Sequence, residues 1–154
     1  MAATVSTVPT VIDALVARFG LAIPDAHVCD SLPISDRDST DWILIGFTSQ
    51  TDEQAVTSSL TIEQMSSDPS REQYDIACLV SAWEGAEDDV KAVRDRAYQL
   101  VDAMVCELAR DQTLGGLVMR AVLTSQTLEQ YWSEGGVSAD VRVTISVDAF
   151  TRRT

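Results

Sequence analysis

Apolar residues recur along this chain with two different periods, and the points where one gives way to the other divide it into elements. Val8, Ile12, Leu15 and Phe19 share one helical face, which predicts a helix over residues 8–19. Thr7 is placed to cap it, Pro9 falls in the first turn where its missing N–H costs little, and Gly20 follows as a C-cap. A short strand is expected over 26–31. The nearly unbroken apolar run 41–47 reads as a strand buried on both faces, preceded by a polar loop over 35–40. Alternation at Leu60 and Ile62 marks a further strand over 58–65, expected to pair with the 41–47 strand, and Ser66 to Ser70 carries turn chemistry. The long strand 71–83 turns Tyr74, Ile76, Cys78 and Val80 to one side and Asp75, Ala77, Leu79 and Ser81 to the other. Residues 42–83 therefore read as an antiparallel meander.

The strongest single signal is a helix over 86–110, with Val90, Val93, Ala97, Leu100, Val101, Met104 and Leu108 as its core stripe. Glu87, Asp88 and Asp89 would lie at its positive end. Leu114-Gly115-Gly116 breaks it. A strand over 117–128, a turn at 134–136 and a strictly alternating strand over 137–150 follow. The last has Val137, Ala139, Val141, Val143, Ile145, Val147 and Ala149 on one face. The order predicts an α+β fold: one domain spanning 1–154, with a mainly antiparallel sheet and two helices packed on one face.

Charge narrows the function. Eleven basic residues against 24 acidic ones give a net charge of −13, which repels polyphosphate and anionic lipid. Sequence-specific nucleic-acid binding is not expected. No run approaches the ~18 apolar residues that a membrane span needs, and residues 1–7 do not read as a secretory signal. Cys29, Cys78 and Cys106 are odd in number and widely spaced, so they make no disulfide framework. They are expected as buried thiols in a reducing compartment such as bacterial cytoplasm.

Catalytic patterns are missing from the sequence. His27 is the single imidazole, with no nucleophile motif to serve. His27 and Cys29 could share a strand face, but no further ligands stand at zinc-site spacing, so neither metal nor cofactor is expected. Thr113-Leu114-Gly115-Gly116 lacks the lysine of a phosphate loop. Two features suit contacts with other chains. Arg94 and Arg96 lie two residues apart on a helix, on different faces, and serve either surface ion pairs with Asp89, Asp102 or Glu107 or a partner. Tyr131-Trp132 stands in a polar context beside a turn, as a contact surface or as a hairpin packed on its own sheet. Trp42 and Trp83, within apolar strands, read as core. The stretch 51–71 is a second candidate contact region.

Several segments together resemble the tail-terminator (tail-completion) proteins of long-tailed bacteriophages and prophages of actinobacteria. They are Val8-Pro9-Thr10-Val11-Ile12-Asp13-Ala14-Leu15, Asp41-Trp42-Ile43-Leu44-Ile45-Gly46, Cys78-Leu79-Val80-Ser81-Ala82-Trp83-Glu84-Gly85, Arg94-Asp95-Arg96-Ala97-Tyr98-Gln99-Leu100-Val101-Asp102, Leu114-Gly115-Gly116, and Val141-Arg142-Val143-Thr144-Ile145-Ser146-Val147-Asp148-Ala149-Phe150. The resemblance is one of order and texture over most of the chain. It implies a non-enzymatic virion protein, assembled in the host cytoplasm as a homo-oligomeric, hexameric ring. Such a ring caps the tail tube protein and later meets the head-tail connector. In that setting an acidic lumen would let genome DNA pass without sticking. The other reading of the same residues is a small bacterial α+β ligand-binding or regulatory module without catalysis.

Overall fold

A computed structural model describes residues 6–31, 41–48, 55–61, 70–84, 90–133 and 136–151. The fold is α+β. Among the described residues the elements run α1 (Val8–Ala22), β1 (His27–Asp30), β2 (Asp41–Ile45), β3 (Val56–Thr61), β4 (Ser70–Glu84), α2 (Val90–Arg110), β5 (Arg120–Ser133) and β6 (Gly136–Thr151). The strands form one mostly antiparallel sheet in the order β1-β2-β4-β6-β5, with β3 also on β4. Both helices cover one face of it. The strict alternation of β6 has its physical cause here: Val137, Ala139, Val141, Val143, Ile145, Val147 and Ala149 are all buried under the helices. Val93, Ala97, Leu100, Val101, Met104 and Leu108 of α2 meet them, whereas Val90 at the helix start is exposed.

The sheet gains one parallel edge, and the meander expected over 42–83 is corrected. β1 runs parallel to β2, pairing His27 with Trp42 through Asp30 with Ile45. β3 does not pair with β2. Both lie end to end along the same edge of β4, β2 opposite Cys78 to Ala82 and β3 opposite Arg71 to Ile76. The chain leaves this edge at Gly46 (φ 71°) and returns at Ala55, with Ala77 of β4 donating to the Ala55 carbonyl and accepting from the Phe47 amide. Apolar periodicity identifies a strand but not its neighbour, so local pattern left this pairing open. The expected loop over 35–40, turn residues 66–69 and 134–135, and the carboxylates Glu87, Asp88 and Asp89 lie outside the described residues.

The first helix also departs from expectation. It runs through Gly20 to Ala22 and is closed by the Ile23 amide on the Phe19 carbonyl. Gly20 has open space around it, so it serves as an ordinary exposed helical residue and not as a cap. Val11, Leu15 and Phe19 are its buried face, with Val8 and Ile12 partly buried. Thr7 stands at the N-cap but makes no capping bond with its side chain. A carboxylate from the sheet takes that role. Glu72, 1% exposed on β4, accepts from the Thr7 amide (2.9 Å), the Thr7 hydroxyl (3.0 Å) and the Ser6 hydroxyl (2.6 Å). A negative charge at the positive end of the helix dipole is favourable. The Thr7 hydroxyl also reaches the Tyr74 hydroxyl at 2.9 Å, and burial, with Glu72 nearby, pushes that phenol up to about 12.

After α2, Leu114, Gly115 and Gly116 all adopt positive φ. Leu114 takes this conformation with its side chain buried in the core. Asp111 organises the turn, accepting from the Thr113 hydroxyl (2.6 Å), the Thr113 amide (3.0 Å) and the Gly115 amide (2.8 Å), with Arg18 at 3.3 Å. These bonds, the Thr113 hydroxyl foremost, hold its carboxyl at about 2, below the ordinary 3.8. A depressed carboxyl contributes stability that is fully present above the unfolded value and lost as pH falls through the folded one. Carbon-detected NMR titration should therefore place the Asp111 midpoint near 2, with the turn loosening only there. A midpoint at 3.8 would contradict this account of the turn.

Candidate interaction surface

Because side chains alternate along a strand, and residues opposite one another in a ladder share a face, the register assigns each aromatic to a side of the sheet. Trp83 of β4 lies opposite Ser138 of β6, which lies opposite Tyr131 of β5. The two aromatics thus flank Ser138 on the open face, two strand spacings or roughly 10 Å apart. Trp83 is 46% exposed and Tyr131 54%. The expectation that Trp83 belongs to the core is overturned: its parity sets it on the face away from the helices. Trp42, also on the open face, is half-buried, its ring centroid 4.8 Å from that of His27.

Tyr131 and Trp132 are consecutive residues within β5 and therefore project to opposite faces, not together from a turn. Trp132, opposite Val137, is on the helix side and is 69% exposed. The hairpin-packing alternative fails for Tyr131 and Trp132 alike on these exposures. The result is three exposed aromatics, Trp83, Tyr131 and Trp132, at one end of the sheet and on both of its sides.

Beneath the Trp83–Tyr131 row the open face is polar. Tyr131 donates to Glu129 (2.6 Å), Glu129 pairs with Arg142 (2.8 Å), and Ser81 donates to Asp140 (2.7 Å). Burial raises the Asp140 carboxyl, opposed by the Ser81 bond and reinforced by the charge of Glu129. The hydrogen bond to Glu129 raises the Tyr131 phenol. This network holds Tyr131 in place at the aromatic rim.

The arginines lie on different sides of α2, as their spacing requires. Arg94 is half-buried and donates to Gln130 of β5 at 3.4 Å. Arg96 binds Asp41 (2.8 Å) and the Trp83 carbonyl (2.6 Å), with Glu84 at 3.6 Å. Its guanidinium ties α2 to the ends of β2 and β4, and Glu107 pairs instead with Arg110. The sequence reading missed Asp41 as a partner because the contact spans 55 residues. Of the 51–71 stretch, 55–61 and 70–71 are described, and they carry β3 and the start of β4.

Cys78 is buried and pushed up to about 12, an unreactive thiol. Cys29 is half-buried and Cys106 is exposed, which corrects the expectation of three buried thiols. No group of three or more metal-ligating side chains occurs among the described residues. Among the described residues the open face carries a depression of about 210 Å³ beside Arg142 and Thr127 and another of about 350 Å³ beside Arg120, Asp75 and Asp148. Among the described residues no helix is long and apolar enough to cross a membrane. No protein-family model matches this chain, and none of the curated proteins does.

Proposed function

We propose that this chain is a structural assembly protein, a tail terminator that closes into a hexameric ring, caps a phage tail tube and joins it to the head connector. The observation that carries the reading is the grouping of Trp83, Tyr131 and Trp132, all exposed at one end of the sheet. Large aromatics held rigidly by strands and left to solvent are the residue types that dominate contacts between proteins. Their presence on both faces of one end suits head-to-tail contacts, which close into a ring when the rotation fits. The resemblance of the sequence to tail terminators supplies the setting, and a charge of −13 suits a passage for DNA.

Imaging of the protein mixed with tail tubes tests this. Rings seated on tube ends are expected, with tubes overgrowing when the protein is withheld. Tubes of normal length in its absence would remove the terminator reading. Trp132→Ala should cut ring occupancy by about ten-fold, the scale of a ~1.4 kcal/mol or larger aromatic contact. Unchanged occupancy would move the contact away from this end of β5. The ligand-binding alternative rests on the depression of about 350 Å³, and would be favoured by a stable monomer that retains a small molecule there.

A further inference from the structure

Strand β5 ends the sheet, and no described strand pairs with its outer edge. It is 14 residues long. Proteins ordinarily blunt such an edge with lysine, proline, inward charge or a bulge, and of these β5 has only an irregularity between Leu123 and Ser125. β5 has no lysine and no proline, its charges are confined to Arg120 and Glu129, and the eight residues between them, 121–128, are uncharged. In a chain as charged as this one, that composition marks an edge built to be paired.

We infer that a second copy of this chain pairs with it, β5 antiparallel to β5, about a two-fold axis between Thr124 and Ser125. The register accommodates this axis along the whole of residues 120–129. Such a pairing requires opposed residues to lie on the same face of the joined sheet. A regular strand could not meet that condition about an axis between two adjacent residues, because their parities differ. β5 meets it through the irregularity between Leu123 and Ser125, which shifts the parity by one. Arg120, Val122, Ser125, Thr127 and Glu129 lie opposite open-face residues of β6, and Ala121, Leu123, Gln126 and Leu128 lie opposite its buried ones. Thr124 bonds Ser146 on the open face at 2.8 Å. The axis then opposes Arg120 to Glu129, Ala121 to Leu128, Val122 to Thr127, Leu123 to Gln126 and Thr124 to Ser125 of the second copy, and every pair matches in face.

Two further features agree with this register. Opposite charges meet at both ends, Arg120 against Glu129 of the second copy and the reverse. Exposed apolar residues meet there too. Leu117 and Met119, 37% and 41% exposed, lead into β5, and the axis sets them beside Tyr131 and Trp132 of the second copy. Isologous pairing closes on itself, so it describes the free chain, does not depend on the ring, and competes with the ring for Tyr131 and Trp132.

The register makes a specific cross-link test. In a Cys106→Ser background, Val122→Cys together with Thr127→Cys should give a disulfide-linked dimer under mild oxidation, whereas each single substitution should not. Within one chain the two positions are roughly 15 Å apart along the strand, beyond disulfide reach. Sedimentation of the unaltered protein should approach twice the 16.7 kDa of the chain as concentration rises. Arg120→Glu, which sets like charges together at both ends, should weaken dimerisation by about ten-fold. A monomer at every concentration overturns the inference, as does cross-linking that is equal in the single and double variants. A ring-sized mass without the cross-link overturns it while leaving the terminator reading intact; a dimer with tubes of normal length does the reverse.

Discussion

Replacing Leu100 by aspartate is expected to remove most or all of the stability of this domain. Leu100 sits in the middle of the 21-residue α2, 6% exposed within the common core. The substitution forfeits about 2 kcal/mol of apolar burial. It also sets a carboxylate within the buried core cluster. Together the loss should be at least about 4 kcal/mol, against a total of roughly 5–15 kcal/mol for a domain of this kind. Urea denaturation followed by circular dichroism measures it. A midpoint within experimental error of the parent protein would mean that α2 does not pack as described.

Glu72→Gln is the second large effect expected, and it acts through the helix cap. The amide keeps the shape of the side chain but loses its charge and turns an N–H₂ group toward donors at Ser6 and Thr7. Charge-assisted hydrogen bonds are each worth about 1.5–3 kcal/mol, so the loss should be about 3 kcal/mol. The Val11 amide, bonded to the Thr7 carbonyl at 2.9 Å, reports on the same turn. Its hydrogen exchange should quicken more than that of amides in the middle of α2. Uniform quickening across both helices would show that the damage is global and that Glu72 is not a cap.

Glu72 could have been found in the sequence. Glu72, Tyr74, Ile76, Cys78 and Val80 share one parity in a long strand, so the buried face that claims Tyr74 claims Glu72 as well. A charged residue at such a position needs donors, and only tertiary structure says that they come from the start of α1. β6 and α2 were legible because each carries a long periodic stripe facing one uniform neighbour. Trp83 was misread because an apolar strand context outweighed its parity. It is separated from the buried Ala82 by one position, and one position reverses the face. Tyr131 and Trp132 were singled out as either a contact surface or a packed hairpin, and their division between the two faces follows from β5 continuing to Ser133, past the boundary that composition suggested. The direction of β1 had no local signal at all, since parallel and antiparallel edges draw on the same residue types.

The order of the strands in space bears on how the chain reaches this state. β6 lies between β4 and β5, although it follows both in the sequence. Its ladder with β4 joins residues as far apart as Ser70 and Thr151, 81 positions. The longest ladder of the sheet must therefore close large loops before it returns any energy, which makes folding slow for the size of the domain. Until β6 inserts, the inward faces of β4 and α2 lack their main cover and the inner edge of β4 stands unpaired. A ribosome must deliver Thr151 before that gap can close. During synthesis the chain thus passes through a stage in which it is sticky, and its heavy negative charge keeps neighbouring nascent chains apart while the stage lasts.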